Sequence, residues 1–189
     1  MHVCIRFTKQ YLQIPVYMGA RKGLIHKYAI PEVPFHGSDG FNGIKFDHEP
    51  DTSRVKDGAA SAILKLVNDN VNQIKMVALG PLTNVATCFI MDGDFWTKLA
   101  GLELMGGNSS GIGNVTSCAE FNFHADPEAA FVVMQGWGPE PARPIKIVPW
   151  ETCLNGCYVD WVSWAGQFLN ISFRYLCLWS GPVALSQIV

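Results

Sequence analysis

A chain of 189 residues, 49% hydrophobic and 16% charged, can bury one good core, which suggests a single domain or most of one and argues against disorder. A net charge of -2 with scattered Lys and Arg provides no basic face, so the sequence gives no support for nucleic acid as a partner. No apolar span is long enough to cross a bilayer, and residues 1–8 lack the apolar core and cleavage site of a signal peptide; a soluble cytoplasmic protein with no membrane partner is expected. The six cysteines at 4, 88, 118, 153, 157 and 177 lack metal-finger pairing. They read as reduced core cysteines in apolar surroundings rather than as a disulfide frame.

In chain order, residues 3–13 carry apolar side chains at helical spacing, and Ile14-Pro-Val-Tyr17 reads as a short buried strand ended by Gly19. Residues 20–50 are loop-like, with His36 set among glycines in Phe35-His36-Gly37-Ser-Asp39-Gly40. A long irregular stretch inside a compact domain is usually functional, and a plain surface turn at Asp39-Gly40 is the alternative. From Lys56 to Val67 the spacing predicts a helix with Ala59, Ala60, Ile63, Leu64 and Val67 on one face. A strand is predicted from Ile74 to Leu79, followed by a helix from Val85 that Thr83 or Asn84 caps. Residues 92–98 form a turn and short helix.

The segment Leu102–Ala130 stands out. The apolar run Leu102, Leu104, Met105 breaks at Gly106-Gly107, as a buried strand does when it gives way to a loop. In open α/β sheets ligands bind at that carboxyl edge. The loop delivers Asn114, Glu120 and Asn122 without a Lys or Arg among them, a lining suited to a neutral polyhydroxyl ligand rather than to a phosphate. Asp126 then reads as an N-cap and Pro127 as the first residue of a buried helix. A further strand is predicted at Ile145–Val148, delivering Trp150, Glu151 and Thr152 to the same edge. Residues 158–169 fit one helix; residues 170–189 show no convincing strand or helix pattern.

Seven blocks in order carry a family resemblance: Ile14-Pro-Val-Tyr-Met-Gly-Ala20, Phe35-His36-Gly37 with Asp39-Gly40, Ala78-Leu-Gly-Pro-Leu-Thr-Asn84, Leu104-Met-Gly-Gly107, Gly113-Asn114, Ala119-Glu-Phe-Asn122 and Asp126-Pro-Glu-Ala-Ala130. Over about residues 10 to 155 the chain resembles the inosine-uridine preferring nucleoside hydrolases. The resemblance implies a Rossmann-like α/β fold, a mainly parallel sheet with flanking helices, with 1–157 as part of the hydrolase domain and 158–189 as an aromatic-rich divergent tail. It implies hydrolysis of the N-glycosidic bond of ribonucleosides, with a calcium ion in the site and a nucleoside or ribose as the small-molecule partner. Carried over by residue, Asn114, Glu120 and Asn122 hold the ribose hydroxyls and Met105 lies against the sugar. Phe121 belongs to the same motif, His36 faces the base, and Leu79 offers its backbone carbonyl to calcium.

The family also has an N-terminal cluster of aspartates and a later His-Asp pair, which supply calcium ligands and proton transfer. The given sequence contains neither, so no catalytic residue is assigned. The expectation is poor calcium binding and negligible hydrolysis by the chain as written, consistent with a truncated form of a longer enzyme. The alternative is a non-catalytic remnant that binds ribose or nucleoside or forms an oligomer; a homo-oligomer is left open.

Overall fold

The computed structural model describes residues 15–26, 43, 45, 53, 55–137 and 145–154, and the backbone of 175–178. Strands β1 (Val16–Tyr17) and β2 (Val55–Lys56) pair in parallel as a short two-stranded sheet. The strand expected at Ile14–Tyr17 is thus present at its end, half-buried rather than buried. Helix α1 (Ala59–Asp69) follows, with Ala59, Ile63 and Val67 forming the buried stripe that an i, i+4, i+8 spacing dictates. Lys56, expected as the first residue of this helix, belongs to β2 instead. The chain turns between the two through Gly58, whose φ of 84° is a left-handed conformation that a Cβ would strain.

The main sheet is built from β3 (Lys75–Ala78), β4 (Gly101–Met105), β5 (Ile145–Val148) and β6 (Tyr175–Leu178). All of its pairings are parallel, in the order β5-β4-β3-β6. Alternation explains which face is covered: Met76, Ala78, Leu102 and Leu104 are buried, whereas Val77, Glu103 and Met105 between them are half-buried. Helix α2 (Thr83–Met91) packs between α1 and α5 (Pro127–Gly136), and these helices close the core over the buried residues of β3 and β4. The short α3 (Phe95–Lys98) pins the end of α2, with the Phe95 ring edge-on to Phe89 at 5.5 Å. The short helices α4 (Phe121–Ala125) and α6 (Trp150–Leu154) lie after β4 and β5 respectively.

Two sequence expectations change here. The tail, in which no strand pattern was evident, supplies β6, which extends the sheet beyond β3 with Lys75 opposite Tyr175. Pairing to an existing parallel edge can select a short strand that local pattern alone does not announce. Thr83 and Asn84 do not cap α2: both lie inside the helix, whose N-cap position is Leu82. Their side chains are used across the fold, Thr83 donating to Asp126 and Asn84 accepting from the Ala20 N–H at 2.9 Å. The helical patterns at 3–13 and 158–169 and the loop around His36 lie outside the described residues.

The cysteines divide by environment. Cys88 is buried, as expected of a core cysteine, whereas Cys118 and Cys153 are exposed; the side chains of Cys4, Cys157 and Cys177 lie outside the described residues. Burial and the neighbouring Asp92 carboxylate push the Cys88 thiol up to about 12. Since the thiolate is the nucleophile, iodoacetamide at pH 8 is expected to label Cys118 and Cys153 in the folded protein and to reach Cys88 only after denaturation. Residue-resolved mass spectrometry checks this. Among the described residues, no helix is long and apolar enough to cross a membrane.

Candidate functional site

The site begins where β4 ends. Gly106 and Gly107 leave room for the Phe123 ring, which a Cβ would meet at 3.0 Å from Gly106 and 3.1 Å from Gly107. Gly107 also takes a φ of 68°, so the turn needs glycine there for conformation as well as for space. The turn is fastened to the next strand by backbone bonds, from the Gly106 N–H to the Val148 carbonyl at 3.1 Å and from the Trp150 N–H to the Gly107 carbonyl at 2.9 Å. Farther along, Gly113 sits where a Cβ would overlap the Thr116 carbonyl and the Ala119 backbone. That close approach shapes the loop carrying Asn114.

Glu120 is the centre of the arrangement. It stands just before α4 and is 6% exposed. One carboxylate oxygen accepts the Asn122 N–H at 2.8 Å, and the other accepts the Phe123 N–H at 3.1 Å and the Gly107 N–H at 2.7 Å. The first turn of any helix has N–H groups without helical partners. Glu120 satisfies two of them in α4 and ties that helix to the turn after β4. Asn122 is likewise buried and donates through Nδ2 to the Met105 carbonyl at 2.8 Å. Asn114 is exposed, and its Oδ1 accepts the Phe121 N–H at 2.8 Å.

Two adjoining hydrogen-bonded sets, Met105–Asn122–Glu120–Gly107 and Asn114–Phe121, meet through the chain at residues 120–122 at the carboxyl edge of the sheet. Leu79 follows Ala78, which pairs with Leu104, so it lies at the same edge beside Met105. His36 lies outside the described residues. Asp126 does cap α5, accepting the Ala129 N–H at 3.1 Å. It also accepts the Leu24 N–H at 3.0 Å and the Thr83 hydroxyl at 2.5 Å, which makes it the post holding the 20–24 segment and α2 against α5.

Sequence reasoning brought Glu151 to this edge without a role. Its side chain accepts the Ser109 N–H at 3.0 Å and the Ser110 N–H at 2.7 Å. Burial disfavours its charge, but hydrogen bonds from its own N–H and from Ser110 and Ser109 outweigh that and hold the carboxyl below the usual carboxylate range. Asn108 was also missed. Its Oδ1 accepts the Gly111 N–H at 3.1 Å and its Nδ2 donates to the Cys118 carbonyl at 2.8 Å, bracing the loop from within. An Asn directly after a glycine pair is a local signal for such a turn.

The described residues do not fit a calcium shell. Calcium takes roughly six to eight oxygens, and the oxygens of Glu120 and Glu151 are already accepting backbone N–H groups. Among the described residues there is no group of three or more His, Cys, Asp or Glu able to hold a metal. A separate shallow groove of about 270 Å³ lies between the ends of β1 and β2 and helices α1 and α2, lined by Met18, Arg21, Asp57, Asn84 and Thr87 among others. None of its lining belongs to the Met105–Asn122 loop.

A family model described as inosine-uridine preferring nucleoside hydrolase matches residues 1–177. That match runs beyond residue 155, where the sequence resemblance was last traced, and takes in most of β6. "Probable uridine nucleosidase 1" of Oryza sativa subsp. japonica is 36% identical over 150 residues, 78% of this chain and 44% of its own length. "Pyrimidine-specific ribonucleoside hydrolase RihA" of Salmonella paratyphi C is 36% identical over 126 residues, 67% of this chain and 40% of its own. Among solved structures, an inosine-guanosine nucleoside hydrolase aligns with a TM-score of 0.66 and 35% identity, over 76% of this chain and 46% of that one. A plant nucleoside hydrolase aligns with a TM-score of 0.58 and 31% identity, over 73% and 42%. The chain thus spans less than half the length of these relatives. With the site at the carboxyl edge of a parallel sheet, in a fold shared with solved members, and the family model matched over residues 1–177, the chain belongs to the inosine-uridine preferring nucleoside hydrolase family.

Proposed function

We propose that the loop from Met105 to Asn122 holds the ribose of a nucleoside, as the sugar-binding part of a site that cleaves the N-glycosidic bond to ribose and free base. The observation that carries this is the convergence of Glu120, bonded to Asn122 beside Met105, and Asn114, bonded to the intervening Phe121 N–H, on one loop. An ionised carboxylate has about four lone-pair directions, and backbone donors take three at Glu120. The remaining one suits a single ribose hydroxyl. The exposed Asn114 keeps its Nδ2 for a second, since its Oδ1 is already accepting. Met105 supplies an apolar surface for the sugar ring.

The relatives support assigning these residues to the sugar rather than to the base. Their names specify uridine, pyrimidine ribonucleosides and inosine-guanosine. Different bases share one ribose, and the sequence blocks that carry the family resemblance include Asn114 and Glu120. In hydrolysis the C1′–N bond breaks, the water oxygen bonds C1′, and the base departs with a proton. Positive charge develops at the sugar as the bond opens. Hydrogen bonds to the hydroxyls accelerate the reaction only where they strengthen as the ring flattens.

A second reading, binding without cleavage, is favoured by the commitment of Glu120 to backbone donors, which makes it a holder rather than a proton carrier. Calorimetry of the full chain with ribose, inosine and uridine, alongside chromatography for free base, separates the readings. Both expect saturable binding of ribose and of each nucleoside. Base release then assigns cleavage to this chain, and binding without release assigns the second reading. Absence of heat for all ligands at millimolar concentration overturns both.

A further inference from the structure

We propose that Glu151, in the first turn of α6, is a positioning residue for the sugar loop. This rests on the ribose-holding function proposed above. The path from Glu151 to that loop is continuous. Its carboxylate receives the Ser109 and Ser110 N–H groups, which fixes the turn after Gly107. Asn108, within that turn, reaches the Cys118 carbonyl at 2.8 Å. Cys118 is joined in turn to the Thr116 hydroxyl, and the adjoining Ala119 carbonyl accepts the Asn114 N–H at 3.0 Å. Asn114 therefore takes its place from a chain of contacts whose far end is a carboxylate on a different strand–helix unit.

The backbone bonds from Gly106 to Val148 and from Trp150 to Gly107 hold only the root of the turn. From outside the turn, Glu151 is the described side chain that receives the N–H groups of its outer part, at Ser109 and Ser110. Two N–H donors aimed at one carboxylate form charge-assisted bonds, stronger than those a neutral acceptor makes. An amide with its oxygen in the Oε1 place still accepts both N–H groups but without the charge, and its NH2 then faces the Ser109 N–H that lies 3.1 Å from Oε2. Because the folded carboxyl lies below its ordinary value of 4.5, its contribution is complete above that value and disappears as the pH falls through the lower folded one. The tether is therefore intact at neutral pH.

The test compares the full chain with Glu151→Gln and Glu151→Asp by ribose and inosine calorimetry, amide hydrogen exchange and thermal melting. The expected result for Glu151→Gln is roughly tenfold weaker ribose and inosine binding and faster exchange at Ser109, Ser110 and Asn114, with exchange in α1 unchanged. Glu151→Asp, which keeps the charge on a shorter stem, is expected to recover part of the affinity. Unchanged affinity in Glu151→Gln, with faster exchange at Ser109 and Ser110, overturns the proposal by showing that the tether does not reach the sugar. If the unaltered chain binds no ligand, the ribose reading fails independently. The exchange then decides the tether: faster exchange extending to Asn114 sustains it, and exchange unchanged at Asn114 overturns it.

Discussion

Asp126→Ala is expected to lower the stability of the chain by about 3 kcal/mol, which corresponds to roughly 6–12 °C in melting temperature for a domain of this size. Asp126 is 1% exposed, and its carboxylate accepts from Leu24, Thr83 and Ala129. Alanine removes the cap of α5 and leaves the other two donors facing a small void where water has little access. The cost therefore comes from unmet donors more than from lost attraction. Asp126→Asn is expected to recover only part of it, because an Nδ2 group in place of Oδ2 faces the Leu24 N–H, one donor against another. Gly23 shows how tightly this corner is built, since a Cβ there would stand 3.2 Å from the Asp126 carboxyl carbon and 2.9 Å from the His26 carbonyl oxygen. Thermal melts of the two variants beside Thr83→Val, which removes one donor and spares the cap, check the ordering: Ala most severe, Asn next, Val mildest.

The largest functional effect is expected at Glu120. Glu120→Ala is expected to weaken ribose and nucleoside binding by roughly 10- to 150-fold, the range for losing a hydrogen bond to a charged group. It also removes the acceptor shared by Gly107, Asn122 and Phe123. Glu120→Gln distinguishes the two contributions. The retained oxygen can still accept the Asn122 N–H, but the amide nitrogen opposes the Gly107 and Phe123 donors. Affinity should fall less in the Gln variant than in the Ala variant, because the retained oxygen also carries the lone pair left for ribose but not the charge, and more of the melting temperature should be kept. Isothermal calorimetry paired with melts of both variants provides the check. A Gln variant that binds ribose like the unaltered chain would contradict the role given to the carboxylate.

The parts of the fold that were legible in the sequence were those decided by local pattern. The stripe Ala59, Ile63, Val67 and the alternation through Met76, Ala78, Leu102 and Leu104 give α1, β3 and β4 without reference to anything distant. Asp126-Pro127 marks the start of α5 for the same reason, since a cap and a pre-set φ are local chemistry. What escaped depends on partners far along the chain. Thr83 resembles a cap until Asp126, 43 residues away, accepts its hydroxyl. β6 is a strand because β3 offers it a parallel edge. Glu151 sits at the end of a legible strand, yet its role requires knowing that β5 lies beside β4 and so presents α6 to the Ser109–Ser110 turn.

The candidate site was legible to a different degree. The order of polar residues after Gly106-Gly107 located the loop, and the family resemblance assigned its residues to a sugar. Neither indicated that each of Asn114, Glu120 and Asn122 also holds backbone in place. These residues shape the loop and, in the proposed function, face the sugar, so each substitution there acts on both. That is the reason the Glu120 and Glu151 variants pair a binding measurement with one of local or global order.

Ribose at the Met105–Asn122 loop is tested by titrating the isotope-labelled chain with ribose and following its amide chemical shifts. Saturable shifts are expected at Gly107, Asn114, Phe121 and Asn122, with the groove residues Met18, Arg21 and Thr87 unmoved. Shifts confined to that groove, or none up to millimolar ribose, would contradict that placement of ribose.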